Sequence, residues 1–249
     1  MIPALAAAVI PALVLPPLLL PLGNPFLFAV LPVAPLAFVY ARAIAERKPR
    51  QAVTLALFWA AAVTISTVAA AAHSPGAIHR GIWHAASYRD EMLGWIATGV
   101  GAEGSIVRFL PRVLLEFAVV ALLAAVSSGA GALLLGSLLL GYMNGYVGWV
   151  IANADPTAGP IRSALIAWPP WPMARVVAFI LAGTAAAAWG YPRLYDRKGE
   201  RPSVKPFAIG SLVFLAADVA LKWGLAPAWR LLLRALLGAS AGIEAGGNG

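Results

Sequence analysis

The chain has 249 residues, of which 61% are hydrophobic and only 11% charged, with no cysteine and a formal net charge of +8. A soluble domain carries roughly 25% charged residues, so the composition excludes a soluble domain and predicts an all-α, polytopic transmembrane bundle of about 6–7 spans, a single integral membrane domain over 1–249. Absent cysteines exclude disulfides and thiolate metal sites. The positive charge is gathered in two short segments beside apolar runs (Arg42, Arg47, Lys48, Arg50; then Arg193, Arg197, Lys198, Arg201, Lys205), which points to cytoplasmic loops near anionic lipid and not to nucleic acid.

Residues 2–44 are apolar and proline-rich, with Gly23-Asn24-Pro25 as a turn signal. They are expected to form two short, kinked spans over about 3–21 and 26–44, with a single broken helix as the rival arrangement. No basic region precedes the first apolar run, so a cleaved signal peptide is not expected. The basic loop 42–50 follows, then an Ala-rich span over 51–72 with Thr54, Thr64, Ser66 and Thr67.

Over residues 73–110, Ile78, Ile82, Ala85, Met92 and Ile96 recur at helical spacing against Arg80, Ser87, Asp90 and Glu91. Trp83, Tyr88 and Trp95 are residue types that sit at headgroup level, so this segment reads as an amphipathic helix on the outer face. All three histidines lie here or just before it. His73, His79 and His84 do not share a helical face, so no metal or cofactor site is expected.

The span 111–128 is entered through Pro111 and carries Arg112 and Glu116 four residues apart, a pair expected to satisfy itself. The stretch Leu133–Ala152 is uncharged and long enough to cross a bilayer. Ser137, Gly141 and Gly145 recur every four residues, with Gly148 nearby, and predict a face for close helix packing. Asn144 sits beside that face and needs a partner. Residues 153–173, rich in Trp and Pro, are expected to be a rigid irregular loop at the membrane surface.

The span 174–191 contains a run of small residues, Ala182 to Ala188, and leads into the second basic loop, 193–205. A last span, 206–223, carries Asp218 and Lys222 at the pairing distance of four residues. After Pro227 a short separate amphipathic piece is expected, and then a disordered tail, 239–249. Four crossings separate the basic loops, which places both on the cytoplasmic side and 73–110 and 153–173 together outside.

Asn144, Gly145 and Gly148, then Pro170, then Ala178 to Gly183 and Gly190, give the region 108–190 a pattern that resembles the stage II sporulation protein M family of bacterial membrane proteins. The resemblance implies a bacterial cytoplasmic (inner) membrane protein that acts as a scaffold and recruits partners. Where that family shows Pro-His-Gly followed by a Glu, this chain has Pro170-Trp171-Pro172 and then Arg175, so an activity tied to that His and Glu is not expected to carry over.

No span holds a nucleophile with a base, a metal-binding pair or an aspartate dyad. The sequence therefore predicts a non-enzymatic scaffold or structural subunit without cofactor, packing against other membrane proteins in a homo- or hetero-oligomer. A permease component using the two charge pairs is the alternative. A cofactor-binding subunit of an energy-converting complex, resting on the His and Trp content, is the third.

Overall fold

The structure is a computed structural model that describes residues 1–195 and 202–238. Its helices are α1 (Ile2–Leu19), α2 (Pro25–Val30), α3 (Ala34–Ala45), α4 (Pro49–His73), α5 (Ile78–Gly81), α6 (Ala85–Thr98), α7 (Ile106–Val126), α8 (Ala130–Ala152), α9 (Pro160–Ala167), α10 (Pro170–Leu194) and α11 (Lys205–Leu237), and no strand occurs among the described residues. Seven segments are long and apolar enough to cross a membrane, with α2 and α3 together forming the second. The chain is an all-α, multi-pass membrane protein.

The proline-rich start is two spans. Gly23 takes a left-handed φ of 66°, and the Asn24 side chain accepts from the N–H groups of Phe26 and Leu27, both at 3.1 Å. That cap starts a fresh helix at Pro25, whose missing N–H is harmless in a first turn.

Each interior proline leaves a carbonyl without its helical partner, a cost that lipid cannot relieve. Pro16 lies inside α1 and cannot bond the Ala12 carbonyl; the Ser66 hydroxyl of α4 donates to that oxygen at 2.6 Å. Near Pro32, where the second span breaks, the Val33 N–H bonds Val30 and the Ala29 carbonyl instead receives the Ser137 hydroxyl of α8 at 2.8 Å. The Trp59 indole N–H donates to the Pro32 carbonyl at 2.9 Å. Side chains of later helices thus complete the backbone of the first two.

Helix α4 packs along α1 and α8, and α10 along α7 and α11. Alternation of the spans puts residues 46–48, 195 and 202–204 at one end, the basic end, and residues 74–105 and 153–169 at the other, the capped end. At the basic end Arg42 and Lys48 close on Glu46 at 2.7 and 2.8 Å, and their hydrogen bonds hold its carboxyl down to about 2. Residues 196–201 of the second basic loop and the tail 239–249 lie outside the described residues.

Three expectations change at the capped end. The single amphipathic helix expected over 73–110 is broken at Ile82–His84, where His84 adopts φ 62°, into the separate helices α5 and α6, and residues 106–110 already belong to α7. The break turns Ile78 and Ile82 inward onto α8, and Trp95, expected at headgroup level, is only 2% exposed. Residues 153–173 are largely helical, because Pro160 and Pro170 each stand at the first helical position, where their fixed φ favours a helix start. Finally, α11 runs unbroken through Pro227. Its last turns bury Leu233, Leu236 and Leu237 with Met92, Trp95, Ile96 and Trp171, and Arg230 donates to the Ile96 and Ala97 carbonyls at 2.9 and 2.7 Å. Those are unpaired carbonyls at a helix C-terminus, where a cation is favoured.

Candidate functional site

Two cations and two carboxylates meet where α10, α11 and the 99–105 link come together at the capped end. Arg175 lies just past the first turn of α10 and holds Asp218 of α11 through two bonds, Nε to Oδ2 at 3.0 Å and Nη2 to Oδ1 at 3.2 Å. Lys222, one turn further along α11, pairs with Glu103 at 2.8 Å. The Trp171 indole N–H donates to the other Glu103 oxygen at 3.2 Å. Asp218 is fully buried and Lys222 only 4% exposed.

Phe109, in the first turn of α7, separates the two cations. The Arg175 guanidinium lies 4.8 Å and the Lys222 ammonium 3.4 Å from its ring centroid, within reach of cation–π attraction. The four charges sum to zero and each has an opposite partner, as buried charges require. Asp218 and Lys222 therefore bind other elements and not each other. Their spacing of four places them on one face, and that face meets α10 and the link.

A second ionic group lies beside the first. Arg112 bonds Glu116 at 3.1 Å, as its spacing predicts, and also approaches Glu91 of α6 at 3.6 Å. Tyr88, Tyr142 and Tyr146 stack between the groups, with centroids 4.8 Å (Tyr88–Tyr142) and 5.7 Å (Tyr88–Tyr146) apart. Burial of the Tyr88 hydroxyl end, with the Glu103 carboxylate nearby, pushes its phenol well above the usual range.

Glu103 stands in the walls of three adjoining spaces. A cleft of about 320 Å³ lies on the Lys222, Trp223 and Arg230 side. A small gap of about 20 Å³ leads past Tyr88 and Arg175 to Arg112 and Glu116. A cavity of about 270 Å³ runs between α4, α8 and α10.

The predicted packing face has a different covering from the one expected. The Ser137 hydroxyl bonds Ala29, and a β-carbon at Gly141 would meet Ile82 at 3.5 Å and Phe28 at 3.7 Å, while one at Gly145 would meet Ile82 at 3.0 Å and Ile78 at 3.4 Å. The chain's own capped-end segment fills that face. Gly148 is where backbones touch: its β-carbon would lie 2.7 Å from the Val68 carbonyl oxygen. A second seam joins α7 and α10, where a β-carbon added at Gly190 would run into the Ala125 backbone. The Asn144 amide donates to the Thr64 hydroxyl at 3.0 Å.

Sequence reasoning passed over Glu103 and gave Arg175 no role in a site. Arg175 did carry a signal: a cation within an apolar span with no carboxylate three or four residues away in its own helix. Glu103, in a glycine-rich link, carried none. The histidines stay apart, His84 bonding Ser87 at 2.8 Å, and among the described residues no three His, Asp or Glu side chains gather as metal ligands would. Comparison of the chain with known proteins finds no matching family model, no matching curated protein and no matching solved structure.

Proposed function

We propose that this chain is a non-enzymatic permease component that admits a small solute from the capped end. The observation that supports this reading is the position of Glu103 and Arg175. Glu103 lines both the 320 Å³ cleft and the small gap in whose wall Arg175, Arg112 and Glu116 also stand, so paired charges line adjoining polar spaces at the capped end of a bundle of apolar spans. Ionisable residues at membrane depth mark solute routes. Part of the support for a scaffold is its small-residue faces, and on the α8 face Ile78, Ile82 and Phe28 already fill the space a partner would take. Trp171 and Arg175, which stand where the sporulation family shows its His and Glu, are both part of the charge cluster, so a role borrowed from that His and Glu is not proposed.

Proteoliposomes offered labelled amino acids, sugars, organic acids and monovalent ions should accumulate at least one of them above empty vesicles. Asp218→Asn with Arg175→Gln should lower that uptake at least tenfold. Absence of uptake, together with a stoichiometric polypeptide retained in gentle detergent, would return the scaffold reading.

The basic loops 42–50 and 193–205 are proposed to face the cytoplasm of a bacterial inner membrane, following the bias of Lys and Arg in short loops. A cysteine at Ser203 should then label only from the cytoplasmic side, and cysteines at Ser87 and Thr157 only from the opposite side. Labelling of positions 87 and 203 from one side would break this topology.

A further inference from the structure

The 270 Å³ cavity differs in kind from the polar spaces beside it. Its deep wall is apolar: Ala60, Leu140, Met143, Val147 and Val176. A narrower apolar space of about 70 Å³ continues along the same wall, sharing Ala60, Leu140, Met143 and Val176. Trp168 and Pro169 stand at the capped end of the cavity, while Leu57 and Leu140 lie roughly 18–24 Å deeper along their helices at 1.5 Å per residue. The space therefore reaches from the interface past the middle of a ~30 Å hydrocarbon core.

Its rim lies on the lipid-facing side of the bundle. Leu57 and Ala61 of α4 and Met173 of α10 line the cavity and are exposed. All three are apolar, and Leu57 and Ala61 continue the exposed stripe that includes Ile65. Whatever enters between these helices comes sideways from the bilayer.

One buried polar atom of a lining residue lacks a partner among the described residues. Tyr146 is 2% exposed, lines the cavity, and its hydroxyl makes no hydrogen bond among the described residues. Leaving such a group unpaired is unfavourable, a penalty that a ligand acceptor would remove. Two other polar side chains of the wall are engaged: Glu103 by Lys222 and Trp171, and the Asn144 amide by Thr64. No unpaired charge lines the space, so it has nothing to hold a charged head.

We propose that this cavity is a lateral binding site for an uncharged amphiphile of the membrane, whose carbonyl oxygen accepts from the Tyr146 hydroxyl and whose chain runs along Leu140, Met143 and Val176 toward the bilayer centre. The open rim lets the remainder of a larger lipid stay in the bilayer. A lipid ester and a membrane quinone share this chemistry. The site would fill whether or not the neighbouring charge cluster conducts a solute.

The test uses the full chain in nanodiscs with two probes, a photoreactive diacylglycerol and a short-chain photoreactive naphthoquinone. At least one should label peptides within 140–152 or 168–176, and the probe that labels identifies the source. Ala61→Trp, on the exposed rim, should reduce that labelling at least tenfold. Tyr146→Phe should weaken binding about three- to tenfold, the loss of one neutral hydrogen bond. Ile209→Trp adds the same bulk to an exposed position of α11 and should change nothing. Failure of both probes to label, or labelling unmoved by Ala61→Trp, would overturn the site. Binding lost in Ala61→Trp but equal to wild type in Tyr146→Phe would overturn the assignment of the hydroxyl. Solute uptake that depends on Asp218 with neither probe bound would sink this proposal and leave the permease reading standing.

Discussion

Arg175→Leu should lower the unfolding free energy in detergent by about 3–5 kcal/mol, the cost of stripping one partner from a buried ion pair. The reason is Asp218. It has no exposed surface and takes both guanidinium bonds, so removing Arg175 leaves a carboxylate in a low-dielectric interior with only the neighbouring Lys222 ammonium to offset it. The double variant Arg175→Leu with Asp218→Leu removes both charges and both desolvation costs, and its stability should return to within about 1–2 kcal/mol of wild type, since replacing a whole buried pair by apolar groups is often neutral. Thermal unfolding of the three proteins decides between an ion pair and two independent contacts. Equal losses in the single and the double variant would mean that the pair is not the unit of stability. The double variant also separates stability from transport: a well-folded protein without uptake would mean that the charges are kept for passage and not for folding.

Gly148→Ala and Gly190→Ala should each destabilise the bundle by about 1–3 kcal/mol, the usual cost of overpacking, whereas Gly141→Ala should be close to neutral. At Gly148 an added β-carbon runs into the Val68 carbonyl and the Ala72 amide, and at Gly190 it runs into the backbone of Ala125. Backbone in a packed helix cannot move aside as a side chain can. At Gly141 the nearest atoms are side-chain carbons at 3.5 and 3.7 Å, which is ordinary contact. Gly145 should fall between them, since only the tips of Ile82 and Ile78 are close. Asn144→Leu should cost on the order of 0.6 kcal/mol, one interhelical hydrogen bond. A melting series in which Gly141→Ala is as damaging as Gly148→Ala would contradict this ranking.

Hydropathy and proline placement made the spans legible: both ends of every apolar run in the sequence lie close to a helix end in the structure, apart from α11. That helix was misread because Pro227 suggested a stop, while the packing of Leu233, Leu236 and Leu237 against α6 and α9 keeps it going. The rigid Trp-Pro loop was misread for a related reason, since a proline that begins a helix looks in one dimension like a proline that breaks one. Pairing between elements was less legible. Asp218 and Lys222 satisfied a local rule, which concealed partners 43 and 119 residues distant in Arg175 and Glu103. The Ser137, Gly141 and Gly145 periodicity marks a face that Ile78, Ile82 and Phe28 cover, but a string of small residues does not say whether its cover comes from another molecule or from a turn of the same chain.

The carbonyls freed by the prolines of the first two spans bear on how the protein is made. Ala12 is served by Ser66, Pro32 by Trp59 and Ala29 by Ser137, so α1 and α2 are completed by donors synthesised up to 108 residues after them. Until α4 arrives, α1 would hold an unpaired carbonyl in hydrocarbon; until α8 arrives, so would α2. The N-terminal hairpin is therefore suited to wait beside the insertion machinery, or under a chaperone, rather than to partition freely into lipid. Truncation after α3 should yield a product that is retained or degraded, and the order of synthesis becomes part of the folding code of this chain.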